Sequence, residues 1–424
     1  MTVLSSRREH HPHRRRIRGA GYFRRLGPGI VTGAADDDPS GIGTYSQVGA
    51  SQGYQLVWTA PVLLPLAFAV QEQCARLALV SGKGLAGLIK EHLPRPILWF
   101  CVLLVVVANV ANIAADLASM GAVVNLLVGI PQGVAVVMLG VGIAAAEILI
   151  SYRQYEKVLR WLCLSLLSYF AVLVVANVDW SAVASSLIPS VDNSKAGIAA
   201  LIALAGTTIS PYLFFWQAAE EVEEEGQRTP DVSADHVRAM RGDVFAGMLS
   251  GVAVMFAIMT ATAATLHTSD SEIDIQSADQ AAQALAPLAG NFASLLFSLG
   301  ILGTGLLAVP VLAGSTGYAF SETMGWPEGL GRKPTKAAWF YVTIVVAIGL
   351  GVAITAVGIN PIQGLYLAAI LNGLAAPVLL VVLWKLGRDR GLLGGWRSGN
   401  WSQCVVGLTA VVMFALPVAW VLIG

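Results

Sequence analysis

Charge is scarce in this chain. Of 424 residues only 12% are Asp, Glu, Lys or Arg, and 26 basic and 26 acidic residues cancel to a formal net charge of zero. Hydrophobic residues make up 56% and the mean hydropathy is +0.68, values that exclude an ordinary soluble domain and indicate a polytopic membrane protein. Cysteine is sparse as well. Cys74, Cys101, Cys163 and Cys404 lie in apolar stretches without CxxC spacing, so a disulfide or zinc framework is not expected and all four read as packing residues. No nucleotide-binding loop, nucleophile elbow or ordered histidine pair occurs, so nothing suggests an enzyme and no cofactor is expected. The first 20 residues hold no apolar run of signal-peptide type; they read as a retained basic tail whose Arg14-Arg15-Arg16 cluster faces lipid headgroups, not nucleic acid.

What the chain does have is apolar windows of about 20 residues. Eleven are expected, near 27–49, 55–80, 97–127, 132–151, 158–178, 197–220, 243–266, 290–318, 337–357, 361–385 and 402–423. With a cytoplasmic N-terminus this topology leaves every Lys and Arg except Lys195 in the tail, in cytoplasmic loops or at inner span ends, and it places the C-terminus outside. The segment after the seventh span is the reverse, with Asp270, Glu272, Asp274 and Asp279 and no basic residue; Ser269 to Leu285 is expected to hold a short surface helix.

Two spans are interrupted. Asp36-Asp37-Asp38-Pro39-Ser40-Gly41 breaks the first and Ile209-Ser210-Pro211-Tyr212 the sixth. Proline removes a backbone donor and clashes with the preceding turn, so each span should unwind near mid-membrane and free its carbonyls. The resulting organisation is a basic tail (1–26), a five-span unit (27–178), a second five-span unit (197–385) and one extra span (402–423). Five being odd, the second unit enters from the opposite side, which is the inverted-repeat arrangement of secondary transporters.

Aspartates facing lipid would cost roughly 2.5 to 3.5 kcal/mol each, so Asp36, Asp37 and Asp38 are expected to face a wet or liganded cavity. Asp38, directly before the proline, is the leading cation ligand, whereas Asp36 and Asp37 could instead cap the second half-helix or pair with a base. Carboxylate plus freed carbonyls is a hard oxygen environment, suited to magnesium, manganese or calcium. Helical spacing from the second break aligns Ser210, Leu213, Gln217, Glu220 or Glu221, and Glu224 on one side. Gln217, Glu220 and Glu221 are candidates for contacts to a hydrated ion, and Glu223 to Glu225 form either an acidic mouth or a solvated helix end. Asp116 suits a proton or cation pathway or an interhelical hydrogen bond; Asn372 suits an amide ligand or polar glue. Glu72 and Arg76, four apart, should pair, and Glu147 is a further buried acid.

These motifs carry a resemblance. Gly27-Pro28-Gly29 through Asp38-Pro39-Ser40-Gly41, Gly49-Ala50, Gly53-Tyr54, Ala75-Arg76-Leu77, Ser81 to Ala86, Ala115-Asp116-Leu117 and Gly206 to Pro211 resemble, in order, the signatures of the NRAMP divalent metal transporters. The resemblance implies an all-α integral membrane protein of about 11 transmembrane helices in the plasma membrane. Its fold would be an inverted 5+5 repeat of the leucine-transporter type with broken helices 1 and 6, working by alternating access without an obligate protein partner. The chain departs from the family at Gly41, where an asparagine ligand is usual, and at Ser210, where methionine is usual. Tyr212 and Gln217 replace histidines and Ser119 an acid, so the family's proton pathway lacks titrating groups. The departures resemble the NRAMP-related magnesium branch and imply a wider, all-oxygen site for largely hydrated Mg2+, with Mn2+ also accepted and no proton coupling. A proton-coupled manganese or iron importer, a sodium-coupled amino-acid transporter of the same fold, and a receptor or channel are the alternatives.

Overall fold

The computed structural model describes residues 27–150, 164–224, 232–267, 275, 277–358 and 360–423. Among these residues the secondary structure is entirely helical. Arg14 to Arg16, Cys163, Glu225, Asp270, Glu272 and Asp274 lie outside them. The first span is two half-helices, α1 (Pro28–Asp36) and α2 (Pro39–Gln52). There follow α3 (Thr59–Ser81), a short α4 (Leu85–His92), α5 (Arg95–Val128), α6 (Gln132–Leu149), α7 (Leu167–Val175) and α8 (Trp180–Ser185). The sixth span is again split, into α9 (Lys195–Thr208) and α10 (Pro211–Glu224). Next come α11 (Ala234–Leu266), a one-turn α12 (Ala278–Ala282), α13 (Ala293–Met324), α14 (Ala338–Thr355), α15 (Pro361–Arg388) and α16 (Asn400–Ile423).

Nine helical stretches among the described residues, counting α9 with α10, are long and apolar enough to cross a membrane. The first span escapes that count because each half is short, and the fifth is described only from residue 164. Large apolar side chains such as Val141, Val346, Leu422 and Trp401 stand exposed on the outer helices, a surface suited to the hydrocarbon of a bilayer. Of the described cysteines, Cys74 and Cys101 are buried and Cys404 is exposed. The segment after the seventh span, expected to carry a short helix, does so at α12, whose N-cap is Ser277.

Both breaks form where proline demands them. Asp38 is extended (φ −67°, ψ 171°) because Pro39 bars the α region for the residue before it, and Ile209 leaves α9 at φ −118°, ψ 58° two residues before Pro211. The half-helix α1 lies against α11 through glycines spaced four apart on each side. A Cβ at Gly33 would stand 2.2 Å from the Gly247 carbonyl oxygen, and one at Gly247 would stand 1.9 Å from that of Gly29, so only glycine lets these backbones meet. Asp243 of α11 fixes the register, accepting from the Gly29 amide at 2.6 Å. That carboxylate sits at the positive end of α1, where orphan amides want an acceptor.

The bundle's two ends differ. At the end where α1 starts, Glu322 of α13 accepts from the Gly87 amide of α4 at 2.7 Å, and Glu223 of α10 accepts from Tyr318 and, at 3.2 Å, from the Gly331 amide. Glu72 pairs with Arg76 as the spacing predicts and also meets Arg241 at 3.6 Å. Arg76 donates to the Trp396 carbonyl at 2.8 Å, which ties the α15–α16 connection to α3. At the opposite end Gln47 accepts from the Ile275 amide at 2.9 Å, and Lys195 stacks over Trp420 at 5.5 Å, joining the start of α9 to the end of α16. There a cavity of about 270 Å3 opens, lined by Gln47, Ile275, Ile362, Gln363, Tyr366 and Leu367.

Candidate functional site

The two breaks meet at mid-bundle, flanked by α5, α11, α13 and α15. Asp38 is 2% exposed and serves two purposes. Its Oδ1 accepts from the Gly41 amide at 2.6 Å, making Asp38 the N-cap of α2, and its Oδ2 lies 3.4 Å from the Tyr212 hydroxyl. Capping therefore falls to Asp38, not to Asp36 or Asp37. Gly41 contributes its amide to that cap. The room left by its missing side chain is narrow, because a Cβ there would come 3.1 Å from the Asp36 carbonyl oxygen and 3.3 Å from the Tyr45 ring.

Asp36 and Asp37 are buried, and the Oδ1 of each has no hydrogen-bond partner. Asp36 turns toward α11, where a Cβ on Gly251 would be 3.2 Å from its Oδ2. Asp116 is fully buried on α5; both of its carboxylate oxygens lack a hydrogen bond of normal geometry, although Asp38 and the Ser40 amide are close enough to act on it electrostatically. Among the described residues, no ion pair engages any of these four aspartates. A buried carboxylate without a partner is strongly disfavoured as the ion, so these groups call for a cation, a proton or water to complement them. No three acidic, histidine or cysteine side chains among the described residues converge as a ready metal cage. Of the four aspartates, Asp38 is the one whose carboxylate reaches a group of the second break, with Asp36, Asp37 and Asp116 buried nearby.

The second break supplies hydroxyl and amide groups. Ser210 Oγ lies 2.7 Å from both the Gly206 and Thr207 carbonyls and so closes the last turn of α9 on itself. Gln217 is fully buried; its Oε1 accepts from Thr32 of α1 at 2.6 Å and its Nε2 donates to Glu221 at 3.4 Å. Thr32, which sequence reading did not single out, thus links the two half-helices nearest the N-terminal end. Glu221 is buried, Glu220 half-buried and Glu224 exposed, so the acidic run climbs from the site to the surface along one helix face. Asn372 lies elsewhere in the network: its Oδ1 accepts from Asn112 at 2.9 Å, joining α15 to α5. Ser119 donates to the Asp116 carbonyl.

Tyr212 is the residue that sequence reasoning undervalued, having treated it only as a lost histidine. Its hydroxyl donates to the Ala35 carbonyl at 2.8 Å and reaches Asp38 as well, so it spans both breaks. Its place directly after Pro211 was the available signal.

Residues 29–422 match the Nramp family, natural resistance-associated macrophage protein-like. The chain belongs to this family. It is accordingly a multi-pass membrane transporter and not an enzyme. Among its Nramp relatives, the divalent metal cation transporter MntH of Aeromonas hydrophila is 28% identical over 415 residues, covering 92% of this chain and 95% of the relative. The protein of the same name from Deinococcus radiodurans is 26% identical, covering 94% and 90%. In fold, this Nramp chain is similar to the Eremococcus coleocola manganese transporter, with a TM-score of 0.77 at 19% identity over 94% of this chain and 87% of that one.

Proposed function

We propose that the chain moves a hard divalent cation, foremost largely hydrated Mg2+ and also Mn2+, across the plasma membrane by alternating access and without proton coupling. Family membership and relatives named as divalent metal cation transporters support the transport of divalent metal. The observation that carries the finer reading is the environment of Asp38: its Oδ1 accepts from a backbone amide and its Oδ2 lies 3.4 Å from a phenol oxygen, with no sulfur or imidazole among these contacts. Mg2+ releases its waters reluctantly and is held through one or two carboxylates, and one carboxylate beside hydroxyls and amides suits an ion that keeps most of its shell. Gln217 and Ser210 would serve as partners to bound water, with Asp36, Asp37 and Asp116 supplying field. Gln217 and Ser119 stand where titrating groups would otherwise relay protons, and neither changes charge near neutral pH.

In this reading the N-terminal end of the bundle, with its acidic helix face, is cytoplasmic and the C-terminus is external, as the Lys and Arg distribution favours. Units 27–178 and 197–385 act as the two inverted repeats, with 402–423 appended. The second reading is a proton-coupled manganese or iron importer. It draws on Met255, whose sulfur lies 3.7 Å from the Thr208 hydroxyl beside the second break, since thioethers select softer ions. Uptake of Mg2+ into liposomes separates the two. The first reading expects flux that ignores Cd2+ and leaves internal pH unchanged at zero potential; internal acidification driven by the metal would sink the uncoupled mechanism.

A further inference from the structure

The oxygens at the first break that could meet a cation include the Asp38 carboxylate and the Ala35 carbonyl in the last turn of α1, one of the four that helix geometry leaves without an amide donor. The Tyr212 hydroxyl stands at both, 2.8 Å from Ala35 O and 3.4 Å from Asp38 Oδ2. A phenol has one proton to donate and two lone pairs with which to accept. The shorter contact takes the proton. The lone pairs of the same oxygen then face Asp38 Oδ2, an arrangement that repels unless something with a hydrogen or a positive charge stands between them.

Tyr212 is placed rigidly enough for this to matter. It is 1% exposed, it follows Pro211 in the first turn of α10, and its own carbonyl accepts from Ser315 of α13 at 2.9 Å. Resting on the reading of this centre as a cation site, we propose that Tyr212 is the residue that makes the centre select by hydration. Its proton keeps the Ala35 carbonyl from acting as a direct ligand. Its lone pairs and Asp38 Oδ2 together accept from the waters of an arriving ion. An ion that holds its shell is received; an ion that must trade water for carbonyl oxygen finds that oxygen already occupied. Mg2+ belongs to the first kind, and Ca2+, which takes six to eight oxygens including backbone carbonyls, to the second.

Tyr212→Phe removes the hydroxyl and keeps the ring. Calorimetric titration of the purified full-length chain and of this variant with MgCl2 and CaCl2 reads the effect. The Mg2+ to Ca2+ affinity ratio should fall about tenfold or more, with Ca2+ binding strengthened in absolute terms, because the freed Ala35 carbonyl becomes a ligand. A phenol that merely packed would weaken both ions alike, so an unchanged ratio overturns the proposal. Should the variant fail to fold, water counting by electron–nuclear double resonance on Mn2+ bound to the unaltered chain decides instead: several retained waters sustain the role of Tyr212, and a largely stripped ion overturns it. Absence of divalent binding by the unaltered chain would overturn the transport reading together with this one, whereas binding with an unchanged ratio removes only the role given to Tyr212.

Discussion

The two breaks are built on the same device and equipped oppositely. Each ends one half-helix and opens the next with proline, yet the first carries Asp36, Asp37 and Asp38 while the second offers only Ser210 and the Tyr212 hydroxyl. At the first break the capping side chain is a carboxylate that keeps one oxygen free of the cap. At the second, the nearest side chain folds back on its own turn and presents little to a ligand. On the proposed reading the contrast separates attraction from discrimination: the aspartates at the first break draw the ion, and the neutral groups at the second bear on which ion is accepted.

The largest effect should come from Asp38→Asn. Asparagine caps helices about as well as aspartate, so thermal stability in detergent should change little while the calorimetric heat of Mg2+ binding disappears; retained Mg2+ binding would remove the charge from its assigned place. Ser210→Met brings a thioether to the neutral break and should create Cd2+ binding, or strengthen it about tenfold, about 1.4 kcal/mol. Competition of Cd2+ against Mg2+ uptake reads this directly, and indifference to Cd2+ would show that Ser210 does not face the ion. Gln217→His places a group titrating near pH 6.5 against Thr32 and Glu221. Uptake should then fall several-fold as pH drops below about 6.5, because the imidazolium repels the cation; a flat pH profile of liposome uptake would contradict that.

The smallest effect belongs to a carboxylate remote from both breaks. Glu328 sits in the connection between α13 and α14, where burial and then the neighbouring Glu322 charge push its pKa from 4.5 up to about 9, partly offset by Arg332. The folded chain therefore holds this proton where the unfolded chain has released it, so stability is lost as pH rises through that interval. Glu328→Gln should flatten the decline of melting temperature between pH 5 and 9 and leave Mg2+ binding untouched. A melting curve as pH-dependent as before would assign the decline to another group.

Local features were readable and long-range ones were not. Proline beside small polar residues marks a break in any single apolar span, and a four-residue separation announces Glu72 with Arg76, so both stand in the structure as the sequence indicates. Asp243 meets Gly29 across 214 positions and Asn112 meets Asn372 across 260, distances at which periodicity carries no information about partners. Tyr212 fell between these cases. Its position was evident, but its significance depends on a carbonyl 177 residues away. The acidic triplet was legible as a group, and only the backbone at Pro39 separates Asp38, which caps and faces the centre, from Asp36, which turns to α11.

The seam between α1 and α11 bears on how the molecule works as a machine. With Gly33 against Gly247 at backbone contact and Asp243 seated on the first amides of α1, peeling the half-helix away would strand a carboxylate and its donors together in the membrane. The same α11 meets α2 just as closely beyond the break, where a Cβ on Gly49 would stand 2.5 Å from the Met259 carbonyl oxygen, so α11 splints both halves of the first span and a stroke of α1 alone must first open this seam.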